Sequence, residues 1–473
     1  MKGLLLWGAL LGTLLELAGA ATPYVCYSSD QDPYLQFGTR TSYEFSSGRT
    51  AGPGGQSDRG IPGCRPLTVW MVARHGARNP SGSEAERLRQ ITKLKDEVNR
   101  NYEERTSKLC PSDAQNLQQW QFTFNSVEED LISQQGKEDI NLFAKRLKSR
   151  FEELLGQEYN DQSFVFRHTN TQRAKNSAES FADGMFPNIP VRFQSTGDND
   201  TLLRSYKNCP AWEALVDNNP DTVQQMDAYL KLPEFVRITS EVSQRLGFRY
   251  NLTQDTLLYA YDICRYEKAN NIKITSPWCA IFTTDELKAI EYAEDLKFYY
   301  NAGYGNSMNA KLGCSLLQDM MYRFRNVSVG RTEASGVFYF THITSILNLL
   351  TRMGVANDQP PLNANNYASQ SRRQWKTSAL APFNANLAAV FFNCTGNNGQ
   401  VEQKIVFYLQ ESVLPLQGCE AGICTWDFVR DRFMSLADEC NVNRTCAGQD
   451  GAGQLAVSLL AIFISLAVSV RFV

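Results

Sequence analysis

One charged turn constrains this chain more than any other feature of its sequence. Residues 67–73 form a short apolar, β-branched run that is typical of a buried strand. The segment RHGARNP (residues 74–80) follows it directly. Ligands of open α/β sheets bind outside the carboxyl ends of strands. Arg74 and Arg78 beside His75 at such an edge predict an anion pocket, because guanidinium groups offer forked donors that match phosphate oxygens.

The other two histidines occupy the same kind of position. His168 lies just beyond the strand-like residues 163–166, and His342 follows the strand-like residues 336–341. The chain has only three histidines, and all three come after strands, so we expect them to converge on one site at one edge of a sheet. A purely structural role is the alternative for any single histidine of this kind. The two arginines around His75 favour a site there.

The remaining pattern predicts an α/β fold. Apolar runs at residues 387–392 and 404–409 add two strands, and residues 128–157 and 174–184 have the apolar spacing of helices. Residues 205–330 contain charged amphipathic stretches with few strand signals. Strands that alternate with helical blocks indicate an open sheet flanked by helices, with a helical insertion subdomain around residues 205–330.

Composition excludes some classes of partner. The 473 residues carry a net charge of −3 and 21% charged side chains, so the chain has no overall basic field for nucleic acid. Anion binding must therefore come from a local cluster of arginine and lysine. The length suffices for one large domain with an insertion or for two domains.

The amino-terminal residues predict export. Lys2 precedes an apolar run at residues 4–17, and small residues follow at 18–20, which is the pattern of a cleaved signal peptide over residues 1–20. Five Asn-x-Ser/Thr sequons are consistent with a glycosylated protein of the secretory pathway. These sequons lie at Asn199, Asn251, Asn326, Asn393 and Asn443.

Twelve cysteines agree with an oxidising compartment, since their number is even and a signal peptide precedes them. Proximity in the sequence predicts the pairs Cys264–Cys279 and Cys419–Cys424, and the other pairings stay open. The chain has no Cys-x-x-Cys spacing and few histidines, so we expect no zinc site.

The carboxyl-terminal residues 447–473 predict an anchor. Small and polar residues precede an apolar tail. After this tail the sequence has only Arg471, Phe472 and Val473. This arrangement favours a signal for glycosylphosphatidylinositol (GPI) attachment. A single membrane-spanning helix, with Arg471 as its only basic flank, is one alternative. We therefore expect the cell surface, with secretion or the lumen of the endoplasmic reticulum as alternatives.

Several segments of the chain resemble a known protein family. Residues 74–80 match the R-H-G-x-R-x-P signature of the histidine acid phosphatases, and residues 172–181 resemble the family's later arginine-bearing helix. His342 matches the second histidine of the family. Segments 276–279, 295–305 and 413–416 resemble the multiple inositol polyphosphate phosphatases within that family. The resemblance extends from about residue 60 to 435.

The resemblance implies a histidine phosphatase domain over residues 21–446 and removal of phosphate from inositol polyphosphates. His75 would attack phosphorus and form a phosphohistidine. Four side chains would hold the other phosphate oxygens: Arg74, Arg78, Arg173 and His342. Because arginines would neutralise the charge, no metal or other cofactor is implied. A broad acid phosphatase and activity on 2,3-bisphosphoglycerate are the competing enzyme functions.

The sequence departs from the family at one place. Family members carry an acid one or two residues after the second histidine, where this chain has Ile343 and Thr344. Without a general acid the rate would fall by about 10²–10⁴-fold. His168 is a candidate replacement, although a structural histidine is the alternative. The chain would otherwise be a slow enzyme or a surface protein that binds phosphate ligands. The basic residues 372–376 would touch a polyphosphorylated substrate or form a solvated helix face.

Overall fold

The computed structural model describes residues 26–47, 61–124, 128–194, 196–396 and 399–448. Within these residues one mixed sheet of eight strands forms the centre of the protein. The strands are β1 (Cys64–Arg74), β2 (Phe164–His168), β3 (Phe193–Gln194), β4 (Gly336–Thr341), β5 (Asn386–Thr395), β6 (Val401–Leu409), β7 (Ser412–Val413) and β8 (Ile423–Thr425).

The sheet has a parallel half and an antiparallel half. Its spatial order is β3-β2-β4-β1-β5-β6-β7, and β8 pairs with β6. Neighbouring strands from β3 to β1 run parallel, whereas β5 to β8 pair antiparallel. The predicted α/β fold with an open sheet is confirmed. The strands β3, β7 and β8 were not predicted, because two or three residues are too few to show a period of two.

Helices surround this sheet. Between β3 and β4 the described residues contain helices and turns and no strand, in the region where the helical insertion was predicted. The α-helices are α1 (Tyr43–Ser47), α2 (Gly82–Leu88), α3 (Ile91–Glu103), α4 (Pro111–Gln119), α5 (Gln134–Arg150), α6 (Glu152–Leu155), α7 (Gln172–Met185), α8 (Pro210–Trp212), α9 (Asp221–Leu230), α10 (Pro233–Arg245), α11 (Gln254–Asn270), α12 (Thr284–Asn301), α13 (Ser307–Leu312), α14 (Cys314–Ser328), α15 (Ile343–Met353), α16 (Thr377–Leu380), α17 (Trp426–Asp438) and α18 (Val442–Cys446).

Both faces of the sheet are buried. Along β1, Val69 and Met71 join the apolar cluster formed with α5 and α7. Trp70 and Val72 join a larger cluster that includes side chains of the helical insertion. Successive side chains of a strand point to opposite faces, so a run without polar interruption is what a strand covered on both sides requires. The insertion therefore packs onto one face of the sheet.

Six disulfides link the described part of the chain, in which every cysteine is paired. The predicted pairs Cys264–Cys279 and Cys419–Cys424 are confirmed. The other four bridges are Cys26–Cys110, Cys64–Cys394, Cys209–Cys446 and Cys314–Cys440. The bridge from Cys64 to Cys394 joins the paired strands β1 and β5 at their mutual register position.

The predicted signal peptide lies outside the described residues, and so does the apolar part of the predicted carboxyl-terminal anchor. Among the helices that the structure does describe, none has both the length and the apolar character needed to cross a bilayer.

Candidate active site

The parallel pairing of β1 with β4 brings two histidines together. Arg74, the last residue of β1, pairs with Thr341, the last residue of β4. His75 and His342 therefore leave the sheet side by side, and their ring centroids lie 5.7 Å apart. The backbone N–H of His75 also donates to the carbonyl of Thr341 over 3.1 Å. The predicted convergence at the carboxyl edge is confirmed for these two histidines.

His75 is oriented by its own turn. Its Nδ1 lies 2.9 Å from the carbonyl oxygen of Gly76, so Nδ1 carries the proton and Nε2 keeps its lone pair. Burial, followed by the charge of Arg74, holds the pKa of His75 well below its ordinary value. The imidazole is therefore neutral and nucleophilic even in acidic solution.

Two glycines set the distance between this turn and helix α5. A Cβ on Gly76 would lie 2.8 Å from both the carbonyl oxygen of Gly136 and Cδ1 of Ile140. A Cβ on Gly136 would lie only 2.3 Å from the carbonyl oxygen of Ala77. The turn and the start of α5 thus pack backbone against backbone, which a side chain at either glycine would prevent.

The two histidines face a cavity of about 260 Å³ at the carboxyl edge of the sheet. The three predicted phosphate arginines all line it. Three further cations and Tyr206 line it without having been predicted from the sequence. The cationic and imidazole side chains of the lining are Arg40, Arg74, Arg78, Arg173, Arg204, Lys297, His75 and His342.

Arg74 is held rigidly under the cavity. Its guanidinium donates to the carbonyls of Thr39 (2.5 Å) and Ala381 (2.8 Å) and stacks over the ring of Phe383 at 4.6 Å. Burial, followed by the neighbouring charge of Arg78, lowers the pKa of Arg74 to about 9. Burial is the larger cause, and repulsion from the neighbouring arginines adds to it, so a bound anion would favour the charged form of Arg74.

Two other arginines of the cavity, Arg78 and Arg173, form ion pairs with carboxylates. Arg78 contacts Glu84 at 3.1 Å and Asp130 at 3.0 Å, and Arg173 contacts Asp130 at 3.5 Å. Three arginines of the cavity nevertheless have an unpaired donor. The buried Nε atoms of Arg74, Arg173 and Arg204 have no hydrogen-bond partner among the described residues. Buried polar groups are ordinarily satisfied, so the cluster of guanidinium groups around this cavity is incompletely paired within the described residues.

His342 directly precedes helix α15, whose first two residues stand where family members have their acid. It caps the amino terminus of α15, and its Nε2 lies 3.1 Å from Oγ1 of Thr169. Burial, followed by the charge of Arg173, lowers the pKa of His342 well below its ordinary value. Ile343 and Thr344, the first two residues of α15, line the cavity. No carboxylate therefore stands in the position that family members use for their acid.

His168 does not reach the cavity. Its Cα pairs with Phe340, and paired residues of adjacent strands point to the same face of a sheet. Phe340 belongs to the apolar cluster under α5 and α7, and the His168 ring accordingly packs against Phe193 at a centroid distance of 5.4 Å. The expected convergence of all three histidines is therefore wrong for His168.

The basic residues 372–376 also differ from both expectations. Arg373 is buried and donates from Nε to Asp295 over 2.7 Å, and Trp375 is fully buried. These residues form no α-helix and do not line the cavity. A buried charge requires a partner, and the Arg373–Asp295 pair is a structural contact between this loop and α12.

Comparisons with known proteins match this geometry. The family model of the histidine phosphatase superfamily (branch 2) matches residues 67–410. Multiple inositol polyphosphate phosphatase 1 of Drosophila melanogaster is 32% identical, over 96% of this chain and 98% of its own length. The protein of that name from Gallus gallus is 26% identical, over 87% of this chain and 92% of its own.

A solved structure confirms the fold. The phytase from D. castellii superposes with a TM-score of 0.65 at 19% identity, and the match covers 82% of each chain. The family match spans His75, the three predicted arginines and His342. This chain belongs to the histidine phosphatase superfamily, branch 2, and is a hydrolytic phosphatase.

Proposed function

We propose that this phosphatase removes phosphate groups from inositol polyphosphates through a phosphohistidine intermediate. The observation that supports this most directly is the lining of the cavity, in which two neutral histidines stand among five arginines and a lysine. One phosphate group needs only part of that charge. A substrate with several phosphates uses all of it, and the insect and bird relatives carry the name of that activity.

The reaction begins at what we call the nucleophile end of the cavity, formed by Arg74, His75, Arg78 and Arg173. Nε2 of His75 attacks phosphorus, and the bond to the leaving alcohol breaks. The arginines and His342 hold the equatorial oxygens, where their charge stabilises the transition state. Water then attacks the phosphohistidine and releases inorganic phosphate. The chain's own cations supply the charge neutralisation, so this mechanism invokes no cofactor.

The competing functions fit the cavity less well. Arg40 is already ion-paired with Glu84 and Glu294, but a broad acid phosphatase acting on single phosphates gives no reason for Arg204 and Lys297 to join the lining. A protein that only binds phosphate ligands gives no reason for His75 to be held neutral by burial with Nε2 unprotonated. Both features are expected of an enzyme that handles polyphosphates.

We also propose that the enzyme works outside the cytosol, tethered by a lipid anchor attached within residues 447–473. Six disulfides support this location, because such bonds persist in oxidising compartments. Asn199, Asn251 and Asn443 are exposed and are the sequons we assign to glycans. The other two sequons, Asn326 and Asn393, are half-buried.

The location has a direct test. Phosphatidylinositol-specific phospholipase C should release the enzyme from intact cells, whereas a single-pass helix would keep it in the membrane. Release of the protein without the lipase would indicate a secreted form.

Phosphate release from inositol hexakisphosphate tests the activity itself. We expect the wild-type enzyme to release phosphate and the His75→Ala variant to release none above background. Rapid quenching should trap a phosphorylated histidine in the wild-type chain and not in the variant. Tight binding without release by the wild-type chain would show a ligand-binding protein instead.

A further inference from the structure

The reaction proposed above requires a proton that the family's usual carboxylic acid does not supply here. An inositol alkoxide is a poor leaving group, so its oxygen must be protonated as the bond to phosphorus breaks. Ile343 and Thr344 occupy the usual position of the acid, and together with Arg204 and Tyr206 of the same cavity lining they form what we call the leaving-group end of the cavity.

Glu294, the one carboxylic acid in the described lining of the cavity, is not available for this task. Its carboxylate accepts hydrogen bonds from Thr39 and from Arg265. Burial alone would raise its pKa, but the charges of Arg265 and Arg40 hold the pKa of Glu294 below its ordinary value. Glu294 is therefore ionised and has no proton to give.

Tyr206 lines the leaving-group end of the cavity together with Thr344 and Arg204. The guanidinium of Arg204 lies over the Tyr206 ring, 5.8 Å from the ring centroid. Thr344 occupies the position that a glutamate takes in family members with the His-x-Glu pattern. A longer acidic side chain at residue 344 would lie in the same cavity as Tyr206.

The Tyr206 ring is held firmly. It packs against Trp212 at a centroid distance of 5.2 Å and joins the apolar cluster around Cys209 and Leu312. The disulfide from Cys209 to Cys446 closes this cluster three residues after Tyr206. The phenol is thus positioned by packing, as a proton donor must be.

We propose that Tyr206, packed into the wall of the cavity beside Thr344, is the general acid of this enzyme. This assignment rests on the proposed phosphatase function and names its missing proton donor.

The proton balance closes over the two steps. In the first, the bond from His75 Nε2 to phosphorus forms and the bond from phosphorus to the alcohol oxygen breaks. That oxygen takes the phenolic proton, which yields the free alcohol and a tyrosinate. In the second, water attacks the phosphohistidine and gives one proton to the tyrosinate. Inorganic phosphate leaves, and His75 and Tyr206 return to their starting states.

The electrostatic surroundings suit both states of the phenol. Burial raises the pKa of Tyr206, so the hydroxyl keeps its proton in neutral and acidic solution, while the charges of Arg204 and Arg173 oppose that rise. The same arginines would stabilise the transient tyrosinate. The phenol therefore holds a proton until an alkoxide of greater basicity develops beside it.

Tyr206→Phe tests the assignment across a series of phosphate monoesters. Aryl esters such as p-nitrophenyl phosphate leave without a proton, whereas alkyl esters need one. We expect kcat/KM, which reports the first chemical step, to fall by about 10²–10³-fold for alkyl esters. For p-nitrophenyl phosphate we expect a loss below about threefold, because that ester does not need a general acid.

The double variant Tyr206→Phe/Thr344→Glu provides a rescue. A carboxyl at the usual family position should restore much of the alkyl-ester activity, and that activity should fall as the pH rises through the pKa of the new acid. Lys297→Met is the matched control, since Lys297 lines the same cavity and its loss should not discriminate between aryl and alkyl esters.

Three outcomes would overturn the assignment. Equal losses for aryl and alkyl esters in Tyr206→Phe would give Tyr206 a structural role. If Tyr206→Phe lost activity on neither kind of ester, the proton donor would be another residue. If only Lys297→Met showed an ester-dependent loss, the proton donor would be Lys297. The monoester series does not use inositol, so failure of the proposed inositol substrate would show separately, as absence of phosphate release from inositol hexakisphosphate.

Discussion

The nucleophile end and the leaving-group end of the cavity are assembled in different ways. At the nucleophile end, Arg74, His75 and Arg78 come from one contiguous turn. Because Gly76 has no side chain, the backbone of that turn packs directly against the backbone of α5. At the leaving-group end, Tyr206 and Thr344 come from the start of the insertion and from α15, and the fold places both in the wall of one cavity. A contiguous turn is visible in a sequence, whereas a meeting of distant side chains becomes visible only in the folded chain.

The largest expected effect falls on the nucleophile. His75→Ala should lower the turnover of aryl and alkyl phosphates alike by about 10⁵-fold or more, as removal of a catalytic nucleophile generally does. Single-turnover measurements of phosphate release with both ester types would check this. A residual rate within about a hundredfold of wild type would show that another group attacks phosphorus.

Arg173→Met should produce the next largest loss. Removing one donor that stabilises developing charge costs about 10²–10³-fold in kcat, and we expect the same factor for aryl and alkyl esters. This equality distinguishes the nucleophile end from the leaving-group end, where losses should depend on the ester. An ester-dependent loss in Arg173→Met would remove the distinction between the two ends.

Thr344→Glu in the wild-type background should have a smaller effect in the opposite direction. A second acid beside Tyr206 should raise turnover of inositol hexakisphosphate by about tenfold or less and leave p-nitrophenyl phosphate nearly unchanged. Steady-state rates with the two substrates would show this difference. An equal rise with both would mean that the glutamate acts on binding or stability instead of proton transfer.

The pH dependence follows from the buried histidines. Since the pKa of His75 is lowered, the neutral nucleophile persists as the pH falls through 6.5. After correction for ionisation of the substrate, kcat/KM should therefore show its acid limb well below that value. Arg173 contributes to the lowering, so Arg173→Met should move the limb to higher pH. A wild-type limb near 6.5 would contradict the burial of a neutral His75.

His168→Ala should have the smallest effect. The ring packs against Phe193 outside the cavity, so we expect turnover of every ester to stay within about threefold of wild type, as for a residue that makes no contact with the reacting groups. Thermal unfolding would register any loss of packing. A large loss confined to alkyl esters would restore His168 as a proton donor.

Much of the fold could be predicted because its signals are local. The strand before the motif and the strand before His342 are continuous apolar runs, as burial on both faces requires. Arg173 was found through resemblance of its helix to a family pattern. Each of these inferences needed only a short stretch of sequence.

The parts that could not be predicted depend on tertiary packing. Arg40 and Arg204 reach the cavity because an amino-terminal segment and the insertion pack over the sheet, and neither has a distinctive sequence context. His168 was misjudged because the face to which a strand residue points depends on its register with the neighbouring strand. Arg373 looked like a surface charge because its partner Asp295 is 78 residues away.

The close contact between Gly76 and Gly136 bears on how the specificity of this enzyme could be redesigned. At the leaving-group end, side chains other than the proposed acid Tyr206 can be exchanged without a change in the main chain, since they contribute to the cavity wall through their side chains. The catalytic turn has no such freedom, because its position is set by main-chain atoms of two segments 60 residues apart. A laboratory library aimed at new substrates should therefore keep Tyr206, vary the other side chains of the leaving-group end, and transplant the turn and the start of α5 as one unit.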